Sequence, residues 1–283
     1  MSRRLLLVHA HPDDETINCG ATMAKYVAEG VQVTLVTCTL GEEGEILLPH
    51  VAHLSAEQAD ELGAHRLEEL HAAMSELGVT DIRLLGGAGR WRDSGMVGTP
   101  SHTKPGAFVG ADSSAVEQLR DIMLEVRPHV VVTYDSHGGY GHPDHIQAHR
   151  ITHAAVAMTA VEGWRIAKVY ACARVLESER ADRERLRSLN DAAPFAVGSD
   201  DFSWAVPRTS VTTEIDGSDF LDAKRRAMSH HATQILVDGD WYALSDRIGA
   251  ALHGIEYYTC EVGFPEVTGD FETDLFAGVD VSS

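Results

Sequence analysis

The sequence contains little positive charge, and this excludes several classes of protein. Lysine occurs four times in 283 residues, and 23 basic residues face 43 acidic ones, giving a formal net charge of −20. A surface this negative repels nucleic-acid phosphates and anionic lipids, and no local basic stripe offsets it. Long hydrophobic runs are also missing, since none approaches the roughly 20 residues of a membrane span. We therefore expect neither nucleic-acid binding nor membrane binding.

Cysteine is scarce as well. The four cysteines are Cys19, Cys38, Cys172 and Cys260, and no CxxC pair occurs among them. This irregular spacing argues against a disulfide framework and against a structural zinc knuckle. The apolar run over residues 5–8 is too short for a signal peptide. We expect a cytoplasmic protein with reduced thiols.

Apolar, β-branched runs alternate with amphipathic stretches through the first 160 residues. This alternation predicts an α/β fold, a Rossmann-like, doubly wound and mostly parallel sheet with helices on both faces. Strands are predicted over 5–9, 31–39, 82–85 and 130–134, and helices over 21–29, 57–77, 114–127 and 143–160. Residues 86–108 are rich in Gly, Pro and Ser and predict a long loop.

The pattern is less regular after residue 160. It predicts strands over 168–174 and 211–215 and helices over 177–189, 218–231 and 241–252. No linker or repeat interrupts the chain. We therefore expect one domain over residues 1–283, with a core over 1–160 and a C-terminal elaboration over 161–283 that closes the pocket.

Two polar clusters follow predicted strands. Residues 11–15 read HPDDE, and residues 140–145 read YGHPDH. Because parallel strands end at one edge of their sheet, both clusters are expected at the same mouth. A catalytic zinc ion takes about three His or carboxylate ligands and leaves a position for water, whose pKa it lowers to about 7. Each string alone is equally consistent with a turn in which Asp caps the next helix; together they favour a metal site.

Three motifs carry a resemblance to a known family. AHPDDE (10–15), GHPDH (141–145) and Lys224 with HATQ (231–234) resemble the LmbE-like (PIG-L) family of zinc-dependent N-acetylglucosaminyl deacetylases. Segments 36–45, 86–96, 127–135 and 272–278 are similar to the branch that acts in mycothiol biosynthesis. The resemblance implies removal of acetate from a small molecule, N-acetylglucosaminyl-inositol.

The resemblance also implies how a metal would be held. His11, Asp14 and His145 would bind one zinc ion per chain, although ferrous iron or cobalt would also suit such ligands. Asp13 would be the general base that activates the nucleophilic water and then returns the proton to the amine. These assignments place the chemistry on both clusters.

The remaining implied roles concern the substrate. His142 would stabilise the oxyanion or act as a general acid, Asp144 would orient His142, and Tyr140 would polarise the amide carbonyl. Further residues would contact sugar or inositol hydroxyls: Arg66, Asp93, Glu45 and, with a less defined role, Asn18.

Several alternatives stay open. A mycothiol S-conjugate amidase or another N-acyl glucosamine deacetylase would share the metal motifs, and a carbohydrate-binding protein would use an inactive scaffold. Glycines 86–89 match no nucleotide-binding spacing, so a dinucleotide-dependent enzyme is disfavoured. His149 is expected either near the metal ligands or at the surface. Cys19 could pack in the first helix, bind the metal or act as a redox brake. Trp91 could stack on a sugar ring or anchor its loop. The oligomeric state is not predicted.

Overall fold

The β-branched runs form the centre of a seven-stranded sheet. In the computed structural model, which describes residues 2–267 and 269–281, the strand order is β3-β2-β1-β4-β5-β10-β6. The strands are β1 (Arg4–His9), β2 (Gln32–Thr37), β3 (Asp81–Leu84), β4 (Val130–Thr133), β5 (Lys168–Ala173), β6 (Thr213–Asp216) and β10 (Ile255–Val262). Strands β1 to β5 pair in parallel, and β10 runs antiparallel between β5 and β6. The mostly parallel sheet is therefore confirmed.

Helices cover both faces of this sheet. They are α1 (Asp14–Ala28), α2 (Leu62–Leu77), α3 (Ser113–Val126), α4 (Pro143–Val161), α5 (Leu176–Ser188) and α6 (Leu221–His230). Alternate residues of β1 point to opposite faces. Leu5 and Leu7 pack with α1, α2 and α6, whereas Leu6 and Val8 pack with α3 and α4. Two buried layers result, as a doubly wound fold requires.

The central strands bring the two polar clusters together. Strands β1 and β4 are parallel neighbours in which Leu5 pairs with Val130 and Leu7 with Val132. The loops that follow them therefore leave the sheet side by side. No helix within the described residues is long and apolar enough to cross a membrane.

The predicted helix over 241–252 is wrong. This segment forms β8 (Trp241–Ala243) and β9 (Ala250–Ala251), which join β7 (Leu236–Asp238) in a small antiparallel sheet. Gly239 and Asp240 make the turn between β7 and β8, and Gly239 adopts a φ of 59°. A two-residue Gly-Asp loop before two aromatic residues is a hairpin signal, and it outweighs the helical spacing.

Two further boundaries differ from the prediction. Helix α1 begins at Asp14, seven residues before its predicted start at 21, and α2 begins at Leu62 and not at 57. Strand β10 was not predicted at all. It pairs with β5 and β6 and so extends the sheet of the first 160 residues into the C-terminal part.

Candidate metal centre and active site

The carboxylate of Asp14 lies between two imidazoles. Its Oδ2 is 3.2 Å from His11 Nδ1 and 3.3 Å from His145 Nε2. Ligand atoms in a tetrahedral zinc site, bound at 2.0–2.1 Å, lie about 3.3 Å apart. These two distances therefore match the spacing between neighbouring ligands of a divalent ion, and one ring nitrogen each of His11, His142 and His145 also lies within 4.8 Å of the other two.

The outer nitrogens of both imidazoles face oxygen atoms. His145 Nδ1 lies 3.2 Å from the Gly138 carbonyl, and His11 Nε2 lies 3.3 Å from Asp144 Oδ2 and 3.5 Å from Asp93 Oδ1. Metal-binding histidines almost always donate their second ring N–H to such groups. The inner His145 Nε2 is buried and makes no hydrogen bond. Each ring is thus oriented as a ligand would be.

The electrostatics of this cluster favour a cation. Burial alone would lower the pKa of His11, but the charge of Asp93 and bonds to Asp14, Asp144 and Asp93 raise it well above its usual value. Burial would raise the pKa of Asp14, but the charge of His145 and the close approach of the His11 and His145 rings hold it well below its usual value. The buried carboxylates therefore stabilise positive charge at the point where a metal ion would bind.

His142 lies beside the rings of His11 and His145, and its pKa is lowered. Its ring centroid is 4.6 Å from that of His11 and 5.0 Å from that of His145. Burial, with the positive charges of His11 and His145, lowers the pKa of His142 to about 3. Its Nδ1 accepts the backbone N–H of Asp144 at 3.2 Å. His142 is therefore neutral near pH 7, with its proton on Nε2.

Asp144 faces His11 and not His142. Its Oδ2 also accepts the backbone N–H of Ser94 at 2.8 Å, and its Oδ1 is buried without a hydrogen bond. Only the backbone N–H of Asp144 contacts His142. The carboxylate thus lies among the groups that orient His11.

Asp13 occupies an unusual backbone conformation between β1 and α1. Its φ is 129°, a region that non-glycine residues rarely adopt and that costs on the order of 1–3 kcal/mol. The backbone N–H of Asp13 donates to Glu15 Oε2 at 3.0 Å, and Arg66 Nη2 donates to Asp13 Oδ2 at 3.1 Å. Burial raises the pKa of Asp13 to about 6, although the charge of Arg66 opposes this rise.

Glu15 is itself held by a histidine from the distant part of the chain. His231 Nε2 lies 2.9 Å from Glu15 Oε1, and both side chains are fully buried. The sequence identifies residues 231–234 as a family motif but predicts no role for them or for Glu15. This motif is the one sequence signal that points to the contact between His231 and Glu15.

The four residues predicted to contact the substrate differ in burial and in their distance from the metal cluster. Arg66 and Asp93 lie buried within the cluster, where Asp93 approaches His11. Glu45 is exposed. Asn18 donates to the Asp14 carbonyl at 2.9 Å and lines a separate cavity beside Cys172 and Lys224. Arg66 and Asp93 are brought to the site, whereas Asn18 faces elsewhere.

Tyr140 lies at the mouth of the site. Its side chain is among the exposed large residues, at 57% exposure, and its ring centroid is 5.2 Å from that of His145. No other aromatic group of the cluster is comparably open among the described residues. Tyr140 is thus placed to meet a ligand entering from solvent.

Trp91, Cys19 and His149, for which the sequence allows more than one role, each contact other parts of the fold. Trp91 is buried, packs on Phe108 and donates its Nε1–H to Gln118 at 2.9 Å, so it anchors the 86–108 loop. Cys19 lies with its Sγ 3.4 Å from that of Cys172, and a ring nitrogen of His9 lies within 4.8 Å of both sulfur atoms. His149 Nδ1 lies 3.0 Å from the Tyr134 carbonyl.

The α/β fold with a buried His and Asp cluster at the ends of its parallel strands is an arrangement that could hold a metal ion, and comparison with known proteins identifies the family. Residues 6–156 match the profile of the PIG-L family, described as GlcNAc-PI de-N-acetylase. The match spans more than half of the chain, which therefore belongs to this family.

Full-length relatives are more specific. The chain is 53% identical to a 1D-myo-inositol 2-acetamido-2-deoxy-alpha-D-glucopyranoside deacetylase of Geodermatophilus obscurus, over 98% of both chains. It is 54% identical to a protein of the same name from Acidothermus cellulolyticus, over 99% of this chain and 97% of the relative.

Solved structures share the fold at lower identity. An N,N'-diacetylchitobiose deacetylase from Pyrococcus horikoshii has a TM-score of 0.54 and 19% identity, over 82% of this chain and 70% of its own. GalB, a 4-carboxy-2-hydroxymuconate hydratase from Pseudomonas putida, has a TM-score of 0.58 and 18% identity, over 94% and 98%. Since a deacetylase and a hydratase share this fold, the fold alone does not decide the reaction.

Proposed function

We propose that this chain hydrolyses the acetamide of 1D-myo-inositol 2-acetamido-2-deoxy-α-D-glucopyranoside, releasing acetate and the free amine. The names of its full-length relatives support this substrate. The observation that carries the chemistry is that His11 Nδ1 and His145 Nε2 both lie within 3.3 Å of Asp14 Oδ2, with the neighbouring Asp13 carboxylate close enough to interact with the charge of Asp14.

The metal is proposed to be zinc, one ion per chain, held by His11, Asp14 and His145. Ferrous iron is the alternative, since imidazole and carboxylate suit both. When bound, such an ion polarises the amide carbonyl and lowers the pKa of water. The fit rests on the spacing of the ligand atoms around Asp14, on the buried His145 Nε2 that makes no hydrogen bond, and on the charge of the cluster.

Asp13 is the proposed general base. With a pKa of about 6 its carboxylate is ionised at neutral pH and can accept a proton from the attacking water. Arg66 fixes one carboxylate oxygen and leaves the other free to take that proton. Asp13 then returns the proton to the departing amine, which must leave in neutral form.

His142 and Tyr140 are proposed to stabilise the oxyanion. Neutral His142 carries its proton on Nε2, which makes that nitrogen a hydrogen-bond donor. The exposed Tyr140 hydroxyl is a second donor that can reach the substrate carbonyl. Asp144 is then a positioning residue that acts on His11 through its carboxylate.

Substrate hydroxyls require accessible polar groups. Arg66 and Asp93 are occupied with Asp13 and His11, so we assign them to positioning within the cluster. Exposed Glu45 remains the proposed contact to a sugar or inositol hydroxyl. The four cysteines are free thiols, which is typical of the reducing cytoplasm where we propose that the protein acts.

The test is acetate release from the proposed substrate by purified protein, before and after chelation and after restoration with zinc or ferrous iron. We expect chelation to abolish release and one equivalent of metal to restore it. The mycothiol S-conjugate is assayed in parallel. A large preference for the conjugate would identify an amidase, and release unaffected by chelation would refute the metal mechanism.

A further inference from the structure

We propose that the chain has a second metal site, formed by His149 and His153 of α4 and Glu261 of β10, for a first-row transition-metal dication such as zinc. It uses none of the residues assigned to the catalytic centre. The proposal does not depend on the deacetylase reaction, because the site is defined by its own ligands.

The three ligand atoms already lie close together. Glu261 Oε2 is 2.8 Å from His153 Nε2. One ligand atom of each residue lies within 4.8 Å of the other two. His149 Nδ1 donates its proton to the Tyr134 carbonyl, which leaves His149 Nε2 as the ring nitrogen that can bind an ion. Side-chain rotations that bring the two Nε2 atoms and the Glu261 carboxylate around one point would accommodate an ion.

The secondary structure holds these ligands in place. His149 and His153 are four residues apart on a helix of 19 residues, so they share one face, and their ring centroids are 4.4 Å apart. Paired histidines at this spacing on a helix are a recurrent zinc-binding arrangement. Glu261 lies in β10 at the irregularity between Cys260 and Val262, and the neighbouring Val262 packs against the core to which α4 contributes. A helix face and an irregular strand position thus present the donors.

The chemistry of the donors selects the kind of ion. Two imidazoles and one carboxylate suit zinc, nickel or copper, whereas magnesium and calcium prefer oxygen ligands. The side chains of His149, His153 and Glu261 are 15%, 29% and 22% exposed. An ion can therefore enter from solvent without opening of the fold, and water can complete its coordination.

The two metal sites are close in the fold. The carbonyl of Tyr134 lies 3.0 Å from His149 Nδ1, and the hydroxyl of Tyr134 donates to Asp14 Oδ2 at 2.7 Å. A change at one site could therefore alter activity through the other site, so activity alone does not distinguish them. The number of metal ions bound by variants of each site does.

The experiment is calorimetric titration of the metal-stripped, full-length protein with zinc alone, and atomic absorption after desalting. We expect one tight equivalent and a second, weaker one in the wild type. His153→Gln and Glu261→Gln should each weaken the second equivalent at least about 10-fold and leave the first unchanged. His71→Gln, at an exposed helical position, is the matched control and should keep both.

A reciprocal variant distinguishes the sites. Asp14→Asn should weaken the tight equivalent and retain the weaker one, with circular dichroism checking that the fold is kept. Should Asp14→Asn fail to fold, cobalt(II) absorption spectra of the wild type and His153→Gln supply the same information. A wild type that binds a single equivalent, or a second equivalent that survives both His153→Gln and Glu261→Gln, would overturn the proposal.

Discussion

The two loops that build the catalytic centre are held in different ways. The first, residues 10–15, is fixed by side chains from distant segments: Arg66 on Asp13, Tyr134 on Asp14 and His231 on Glu15. The second, residues 138–145, is fixed by local backbone, because His142 caps α4 and Gly138 accepts from the His145 ring. Asp13, Asp14 and Glu15 therefore depend on distant parts of the fold, whereas His142 and His145 depend mainly on where α4 begins.

Asp13→Asn should have the largest effect, since it removes the proposed base from the first loop. We expect turnover to fall about 10²- to 10⁴-fold, the usual contribution of general base catalysis. Zinc should stay bound, because Asp13 is not a proposed ligand. Turnover and metal content are measured together, with exposed Asp191→Asn as control. Full activity in Asp13→Asn would refute the assigned role.

Among substitutions in the second loop that leave its charge unchanged, Gly138→Ala should reduce activity the most. A Cβ at Gly138 would lie 2.8 Å from His145 Cβ and 2.9 Å from the Ile146 nitrogen. Overpacking of this kind typically costs about 1–3 kcal/mol. We expect zinc affinity and turnover to fall about 10-fold or more, measured by calorimetry and acetate release.

Gly139→Ala is the matched control for that variant. Gly138 and Gly139 have φ values of 66° and 64°, so both pay the same conformational penalty. A Cβ at Gly139 meets no atom within 4 Å. The difference between the variants therefore isolates the clash with His145. Equal effects would show that the second loop tolerates displacement of this ligand.

Glu15→Gln should have a smaller effect that tests long-range support of the first loop. It weakens the charge-assisted bonds to His231 and to the Asp13 N–H, each worth about 1.5–3 kcal/mol. We expect kcat to fall about 10-fold with KM and zinc content nearly unchanged. His231→Gln should act similarly, and the double variant should lose less than the product of the two. Strict multiplicativity would show that the pair does not act as a unit.

The sequence predicted the part of this design that is local. Buried β-branched strands and polar residues at their ends indicated that residues 11–15 and 140–145 would meet, and the structure confirms this. It did not predict the hairpin over 236–243, where the turn signal of Gly239 and Asp240 was overlooked in favour of the helical spacing. It also did not predict β10 or the start of α1 at Asp14, because neighbouring elements decide these. The pairing of Glu15 with His231 spans 216 residues, and no local pattern defines such a contact. The single domain over 1–283, with its division at 160, stays a prediction, which the continuous sheet supports.

The pH profile should show the smallest but most diagnostic change. Asp13 must be ionised to act as a base, and its pKa is about 6 because burial disfavours the charged carboxylate. Activity should therefore fall as the pH drops through about 6 or below, since a bound cation would favour the ionised form further. Arg66 lowers the pKa of Asp13, so Arg66→Gln should move this acid limb to higher pH. The limb is measured as kcat/KM between pH 4.5 and 8. If the acid limb of the pH profile is unchanged in Arg66→Gln, a group other than Asp13 controls that limb. Arg66 would then not set the pKa of the Asp13 carboxylate in the first loop.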